Sequence, residues 1–300
     1  MVAVTKHFLP EGRLLCTEEN QAACAGPDGL REAMERGTIL EGVTLLCDAD
    51  HDLTVGLGNR TGVIPRSEAA LGIAEGTTRE IAILSRVGKP VCFTVESLEN
   101  GLRLSRRRAQ QRALTHILDT WRLGDVVPAT VTHLEPFGAF VDIGCGIPSM
   151  LSPDQISVSR ISHPRQRFVP GQEIFAVVTG IDREQGRVRL SHKALLGDWA
   201  ENAARFAPGM TVPGIVRGVK SYGVFVELSP NLTGLAEPSP GLEENQRVSV
   251  YVKAIQPERH KVKLLVIDRL PPGAMPKYRY SATSGRMAPW RYLPEEAPLW

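Results

Sequence analysis

Two short segments of the chain pair aromatic rings at a spacing suited to binding nucleobases. The segment PFGAFVD at positions 136–142 returns 85 residues later as SYGVFVE at positions 221–227. Each copy holds two rings three positions apart, Phe137 with Phe140 and Tyr222 with Phe225. Rings that lie side by side on a surface stack on unpaired bases, which contributes about 1–3 kcal/mol per base with little regard to sequence.

The direction in which these rings point decides what they do. In a regular strand, residues three apart face opposite sides, so one ring of each pair would be buried. The glycine after the first ring permits a bulge that turns both rings to one surface. The alternative is that one or both rings fill the core, as most aromatic residues in strands do. Repetition of the pattern near basic residues favours exposure of at least one ring.

Patterns for catalysis and metal binding are lacking in the sequence. The seven histidines form no H-x-x-x-H or H-E-x-x-H pair, and neither G-x-S-x-G nor G-x-x-x-x-G-K-[ST] occurs. His163 and His192 are interpreted as RNA-edge or surface residues. The five cysteines include no C-x-x-C pair and are typical of reduced thiols in the cytosol. We therefore expect no enzymatic activity, catalytic residue, metal or cofactor.

The composition is that of a globular protein without strong overall charge. Apolar residues make up 42% and charged residues 23%, and the formal net charge is +2. No apolar run has the length of a signal peptide or membrane span, so we expect a cytoplasmic protein that enters no membrane. Positions 36–105 carry 7 basic and 9 acidic side chains, whereas positions 205–270 carry 9 basic and 6 acidic. A polyanion would therefore meet the second half of the chain.

The ring segments belong to an internal repeat that predicts barrels. Gly124 and Gly209 are related by the same 85 residues as the rings, as are Ala129 and Gly214. Each of the two later repeats holds five strand candidates, the number in an OB barrel. They lie at 126–134, 137–143, 147–151, 173–181 and 187–190, and again at 211–219, 222–228, 232–236, 248–255 and 261–267.

The first repeat is the weakest of three. Its strands lie at 39–47, 53–57, 61–64 and 91–96, with a short one at 102–104 and an additional inserted strand at 80–84. At an offset of 87 residues, Asp50 and Leu53 stand where the second repeat has Phe137 and Phe140. A carboxylate in place of a stacking ring, in an acidic segment, argues against strong RNA binding. We expect this repeat to contact a protein or to support its neighbours.

The predicted fold is mainly β: three tandem five-stranded OB-fold barrels joined by short α-helical linkers, with irregular N- and C-terminal segments. The expected segments are an N-terminal arm and short helix (1–35, loose over 1–28), a degenerate OB domain (36–105), a linker helix (106–121), an OB domain (122–196), a second linker helix (197–206), a third OB domain (207–270) and an aromatic and basic tail (271–300). The first linker helix begins with a cluster of Arg106, Arg107, Arg108 and Arg112, which either meets phosphates or is a solvated helix end. The tail suits single-stranded RNA or a groove on a partner, with a disordered or barrel-docked tail as alternatives.

Four segments resemble the RNA-binding OB domain of the ribosomal protein S-one family. They are GDVVPATV at 124–131, FGAFVD at 137–142, PGQEI at 170–174 and IDREQGRVRLS at 181–191. The helix between modules and the segment GNRTGVIPRSE at 58–68 are more similar to the ribosomal protein than to nucleases that carry one such domain. The resemblance covers roughly residues 36–270 and implies three such modules, a short form of that family.

The resemblance also implies an RNA face made of two strand-two aromatics, a strand-three histidine, and an acid and a cation beside the turn into strand five. These positions hold Phe137, Phe140, Asp182 and Arg187 in the second module, and Tyr222, Phe225 and Lys261 in the third, where Gln256 replaces the acid. The histidine position holds Ser152 and Glu237. Further phosphate contacts are expected from Arg165, Arg167, Lys220 and Lys253.

Three functions follow as hypotheses. The leading one is a ribosome-associated protein that binds single-stranded RNA and holds messenger RNA at the small ribosomal subunit, with no small-molecule substrate. The alternative is a ribosome-bound regulatory or stress factor that acts mainly through protein contacts. Catalysis is the third and lacks any supporting motif.

Overall fold

The strands of the chain form three successive five-stranded barrels. The computed structural model describes residues 8–273 and 278–300. The expected lack of a signal peptide concerns the first seven residues, which lie outside the described residues. Lys277 of the tail lies outside them as well. Barrel one contains β1 (Leu40–Cys47), β2 (Leu53–Leu57), β3 (Arg60–Ile64), β4 (Pro90–Ser97) and β5 (Arg103–Ser105). Barrel two contains β6 (Val126–Glu135), β7 (Gly138–Asp142), β8 (Pro148–Leu151), β9 (Glu173–Asp182) and β10 (Arg187–Ser191). Barrel three contains β11 (Thr211–Lys220), β12 (Gly223–Ser229), β13 (Leu232–Ala236), β14 (Arg247–Gln256) and β15 (Lys261–Arg269).

The barrels share one strand order and differ in how they close. Barrels one and three are closed, with orders β1-β2-β3-β5-β4 and β11-β12-β13-β15-β14. Barrel two is a five-stranded sheet in the order β10-β9-β6-β7-β8. Its two edges meet where the Ser149 hydroxyl donates a hydrogen bond of 2.7 Å to the Val188 carbonyl. The prediction of three five-stranded barrels in a mainly β protein is confirmed.

Each barrel is filled by the inward residues of its alternating strands. In β10 the pattern runs exposed, buried, exposed, buried, buried, and in β15 buried Val262 and Leu264 alternate with exposed neighbours. Among the described residues, the fully buried phenyl rings are Phe93 and Phe168, neither of which belongs to the repeated ring segments. The core therefore has its own aromatic residues, which leaves the repeated rings available for a surface.

Within residues 8–273 and 278–300, six α-helices connect or flank the barrels. They are α1 (Glu18–Ala25), α2 (Pro27–Arg36), α3 (Ile81–Leu84), α4 (Arg106–Thr120), α5 (Pro153–Ile156) and α6 (Trp199–Ala203). The first linker is helical as predicted, since α4 begins at the Ser105 cap and buries Ala109, Ala113 and Ile117. The second linker is broken: a 3-10 turn (Lys193–Leu196) is followed by Gly197 at φ +84° and then by α6.

Two predictions about secondary structure are wrong. The segment at 80–84 is not an inserted strand, because its apolar residues form the short helix α3, with Ile83 buried and Ile81 64% exposed. The arm before residue 28 is not loose over its described part, because Thr17 caps α1 and Asn20 bonds both backbone groups of Glu41 in barrel one. The acids at the start of α1 were the overlooked signal.

The arginine cluster of α4 joins parts of the chain to each other. The buried Arg106 donates to Glu11 at 2.6 Å, Arg107 pairs with Glu68 at 2.7 Å, and Arg108 pairs with Glu96 at 2.5 Å. Arg112 donates to the carbonyl of Gly37. Arg106 is therefore buried within the protein, whereas Arg107 is half-buried and Arg108 and Arg112 are exposed to solvent while they contact these partners.

The described part of the tail docks on barrels two and three. The Tyr278 hydroxyl donates to the Arg167 carbonyl at 2.5 Å, and the Tyr292 hydroxyl donates to the Asn231 carbonyl at 2.7 Å. Trp290 and Trp300 pack against a buried cluster on barrel two that includes Val126. Of the alternatives left open by the sequence, docking on a barrel is the one observed.

Candidate nucleic-acid interface

Barrel two carries a pair of rings on its surface. Phe137 lies in the turn between β6 and β7 and is 60% exposed, and Phe140 lies within β7 and is half-buried. Their centroids are 6.0 Å apart and their planes are perpendicular. The two rings form one continuous surface, which we call the barrel-two platform.

The platform depends on a bulge and on a glycine. The prediction from the sequence wrongly placed the bulge beside that glycine. The bulge lies in β6, between Val131 and His133, and not beside Gly138 as expected. Gly138 has a different purpose: a Cβ there would lie 2.9 Å from the carbonyl oxygen of Leu151 in β8. Glycine thus permits the close approach of two strands, and the bulge in the preceding strand sets which residue lies opposite Phe140.

Barrel three repeats the arrangement as the barrel-three platform. Tyr222 lies in the turn before β12 and is 65% exposed, and its ring centroid is 6.2 Å from that of Phe225 at an interplanar angle of 89°. The bulge lies in β11, between Val216 and Gly218. A Cβ on Gly223 would lie 2.6 Å from the carbonyl oxygen of Ala236. The two platforms therefore have the same construction.

Strand pairing adds side chains to both platforms that the sequence analysis missed. In barrel two, His133 and the 42% exposed Met150 lie opposite Phe140 on its two neighbouring strands. The His133 ring centroid is 6.0 Å from that of Phe140. In barrel three, the 40% exposed Leu235 lies opposite Phe225, and Lys263 lies opposite Leu235. The outward positions of the strands would have identified these residues if the register had been known.

Barrel one has no comparable ring pair at the equivalent positions. The first hairpin of barrel one has one more residue between Leu46 and its partner Thr54 than barrel two has between His133 and its partner Phe140. Thr54, not Leu53, therefore corresponds to Phe140. Leu53 is fully buried. His51, not Asp50, then takes the place of the first ring. The expected positions were shifted by one residue, and a strand-two ring is still missing.

The basic side chains that were predicted to contact phosphate lie in different environments. Arg187 is exposed and lies opposite Asp182 across the turn between β9 and β10, and Lys261 lies opposite Gln256 at the equivalent turn of barrel three. Lys220 is exposed at the end of β11, two residues before Tyr222. These side chains reach solvent and are available to phosphates.

Two other predicted cations have local partners. Lys253 donates to Glu237 at 2.7 Å, and this hydrogen bond lowers the pKa of Glu237. The exposed Arg165 lies beside His163, with 3.1 Å between Arg165 Nη2 and His163 Nε2. The other ring nitrogen, Nδ1, accepts from the Arg165 backbone N–H at the start of a 3-10 turn (Pro164–Gln166).

Arg167 was predicted to contact phosphate, and this prediction is wrong. Its side chain is 2% exposed and lies between barrels two and three, where it donates to Glu227 at 2.5 Å. Arg217 donates to the same carboxylate oxygen at 2.6 Å. The local sequence around Arg165 and Arg167 is uniformly basic, so the difference in burial arises from a partner 60 residues away.

The acid that ends each ring segment faces away from the platform and holds the barrel to other parts of the chain. Glu227 binds Arg167 of barrel two, and Asp142 accepts from the backbone N–H of Glu11 at 2.7 Å. Burial, together with the charge of Glu11, raises the pKa of Asp142 to about 7. Each repeated segment therefore has an outward part with rings and an inward part with an acid.

His192 was interpreted as an RNA-edge or surface residue, and this interpretation is wrong. The side chain is fully buried, its Nδ1 lies 2.8 Å from the Ile156 carbonyl, and its ring packs edge to face on Phe168 at 4.9 Å. Burial lowers its pKa to about 4, so the imidazole is neutral at physiological pH. His192 is a core residue of barrel two.

Metal-ligand clusters and membrane-spanning helices are both lacking in the part of the chain that the structure describes. Within residues 8–273 and 278–300, no group of three or more histidine, cysteine, aspartate or glutamate side chains is arranged to hold a metal ion. In the same part of the chain, no helix is both long and apolar enough to cross a membrane.

Comparison with known proteins identifies relatives of the chain. Residues 121–193 match the family described as the S1 RNA binding domain. Small ribosomal subunit protein bS1 of Leuconostoc lactis is 34% identical over 163 residues, which cover 50% of this chain and 38% of that protein. The bS1 homolog of Bacillus subtilis is 30% identical over 248 residues, which cover 76% of this chain and 63% of that protein.

The matches to these two bS1 proteins and to one solved structure each cover half or more of this chain and a smaller share of the other protein. A crystal structure of a multidomain protein with nucleic acid binding domains from Streptococcus pneumoniae aligns with 79% of this chain and 76% of that chain, at 18% identity and a TM-score of 0.26. The chain spans less than two thirds of the length of the two bS1 relatives. The resemblance to the S-one family inferred from the sequence is confirmed. Residues 121–193 are thus similar to the S1 RNA binding domain, and a larger part of the chain is similar to the bacterial small ribosomal subunit protein bS1.

Proposed function

We propose that the chain binds single-stranded RNA through the barrel-two and barrel-three platforms. The observation that carries the proposal is the exposure of Phe137 and Tyr222, at 60% and 65%, each beside a second ring at about 6 Å. A base that stacks on such a ring removes apolar surface from water without needing a particular sequence. The exposed Arg187, Lys220 and Lys261 supply phosphate contacts.

The biological setting of the proposal comes from the relatives. They are small ribosomal subunit proteins, and one domain of this chain matches an RNA binding domain. The chain would hold messenger RNA at the small subunit in the cytoplasm, as a binding protein and not an enzyme. Two platforms on one chain bind an RNA more tightly than either one alone, because the second contact is intramolecular once the first has formed.

The test replaces the two most exposed rings together, as Phe137→Ala with Tyr222→Ala. Since each lost stack costs about 1–3 kcal/mol, the affinity for a single-stranded RNA is expected to fall by at least about tenfold at fixed salt. Fluorescence anisotropy with a labelled oligouridylate measures it. A matched control removes two exposed apolar side chains from barrel one, as Leu45→Ala with Ile81→Ala. Equal affinities of the ring variant and the control would refute the proposal.

A second candidate function rests on barrel one. Several large apolar side chains there are 43–64% exposed, namely Leu45, Leu46, Ile81, Leu84 and Val87. Exposed apolar side chains on a barrel that lacks the ring pair suit a contact with a protein. The chain would then act as a ribosome-bound regulatory or stress factor. Co-sedimentation with ribosomes that survives both nuclease treatment and the two ring substitutions would favour this function.

A further inference from the structure

A cavity of about 700 Å³ opens between barrels two and three, away from both platforms. Its walls come from the end of the 3-10 turn Pro164–Gln166 and the following Arg167, from the end of α6, from the first half of β11 and from Tyr278 of the tail. None of the platform rings lines it. The volume falls within the range of about 300–1,000 Å³ that is usual for small-molecule sites.

The cavity is strongly cationic. Among the described residues, its walls carry four arginines, Arg167, Arg205, Arg247 and Arg279, and one acid, Glu227. The charge of Glu227 is already shared by Arg167 and by the neighbouring Arg217. Arg205 and Arg279 are exposed, so their guanidinium groups can meet an entering anion.

The remaining walls are apolar and aromatic. Phe206, from the segment after α6, and Tyr278 are both half-buried at the cavity surface. Ile215 and Leu228 contribute aliphatic walls. The Tyr278 hydroxyl is held by the Arg167 carbonyl, so the ring has a fixed place. A flat apolar group is therefore accommodated next to the cations.

We propose that this cavity binds a phosphorylated nucleoside, with the phosphate at Arg205 and Arg279 and the base against Phe206 or Tyr278. A simple anion would leave the rings unused, and an uncharged aromatic molecule would leave the arginines unused. The shared chemistry has two sources, a free mononucleotide or one unpaired nucleotide of an RNA. This site is separate from the platforms, so the proposal does not rest on the platforms binding RNA.

Equilibrium dialysis of the full chain with radiolabelled adenosine 5′-monophosphate tests the proposal. The variant Arg205→Gln with Arg279→Gln is expected to weaken binding at least about tenfold, because it removes two charge-assisted contacts. The matched control, Arg31→Gln with Arg36→Gln, removes two exposed arginines from α2 in barrel one's neighbourhood and should bind as the wild type does. Absence of saturable binding at millimolar nucleotide, or equal loss in both variants, would overturn the proposal.

Two further measurements identify the ligand and its place. Inorganic phosphate should compete far less well than the nucleotide, and equal competition would overturn the proposal by showing an anion site only. Competition by a short single-stranded RNA would indicate RNA as the source, and its failure to compete would indicate the free nucleotide. Photocrosslinking with 8-azidoadenosine 5′-monophosphate should label peptides that contain Phe206 or Tyr278. Labels confined to the platform peptides would also overturn the assignment.

Discussion

The substitution Glu227→Gln should weaken the junction between barrels two and three. Glu227 is 3% exposed as a residue and accepts from Arg167 at 2.5 Å and from Arg217 at 2.6 Å, and both arginine side chains are at most 6% exposed. Without the carboxylate, Arg167 remains buried with no opposite charge. Loss of one partner of a buried ion pair costs about 3–5 kcal/mol. Glutamine keeps one acceptor oxygen, so we expect the lower end, about 3 kcal/mol.

Urea unfolding followed by tryptophan fluorescence measures this loss, since Trp199 packs into the core of barrel three. With a slope of about 2–3 kcal/mol per M, the midpoint should fall by about 1 M or more. The matched control is Glu237→Gln, in the same barrel, whose ion pair with Lys253 is exposed. Exposed ion pairs contribute little to stability, so this variant should unfold like the wild type.

A second substitution separates the loss of attraction from the burial of an unpaired charge. Adding Arg167→Met to Glu227→Gln removes one of the two buried guanidinium groups that lose the carboxylate, so the double variant should recover part of the stability that Glu227→Gln lost. The reasoning is refuted if Glu227→Gln and Glu237→Gln unfold at the same urea concentration. It is also refuted if the double variant is less stable than Glu227→Gln alone.

Two further predictions concern salt and pH. Replacing Arg187 or Lys261 by Gln should each lower the slope of log affinity against log salt for single-stranded RNA by about 0.7, and titrations at several salt concentrations would show an unchanged slope if neither residue meets a phosphate. Burial raises the pKa of Glu41 to about 7, above its ordinary value, and the charge of Glu11 adds to the effect. The protonated form is therefore favoured in the folded state, and the stability it contributes is present below about pH 4.5 and lost as the pH rises through about 7. The free energy of unfolding should fall between pH 5 and pH 8 more steeply in the wild type than in Glu41→Gln, and parallel pH profiles would contradict the assignment.

The features that follow from local sequence were predicted well. The strands of the later repeats were predicted from the alternation of apolar and polar residues and from the turn residues at their ends. Both signals lie within a few residues of the strand itself. The exposure of the rings followed from repetition together with basic neighbours. The helix α4 followed from its apolar stripe and from the cap at Ser105.

The features that were missed depend on distant partners. Arg165 and Arg167 are two residues apart in a basic segment, yet one is exposed and the other is buried, because Glu227 and not the local sequence decides it. The bulges lie in the strands that precede the rings, so their positions required the register between strands. Docking of the tail depends on a patch around Val126, more than 150 residues earlier in the chain.

The two parts of the repeated segment are separable, and barrel one shows why. Strand pairing places Gly56 of barrel one where Asp142 and Glu227 lie in the later barrels, and Thr54 where those barrels have the strand-two ring. Barrel one nevertheless closes fully. Neither the ring nor the acid is therefore needed to form a barrel. This supports the proposal that the ring contacts RNA, while the acid is explained by the junctions that it makes within the protein.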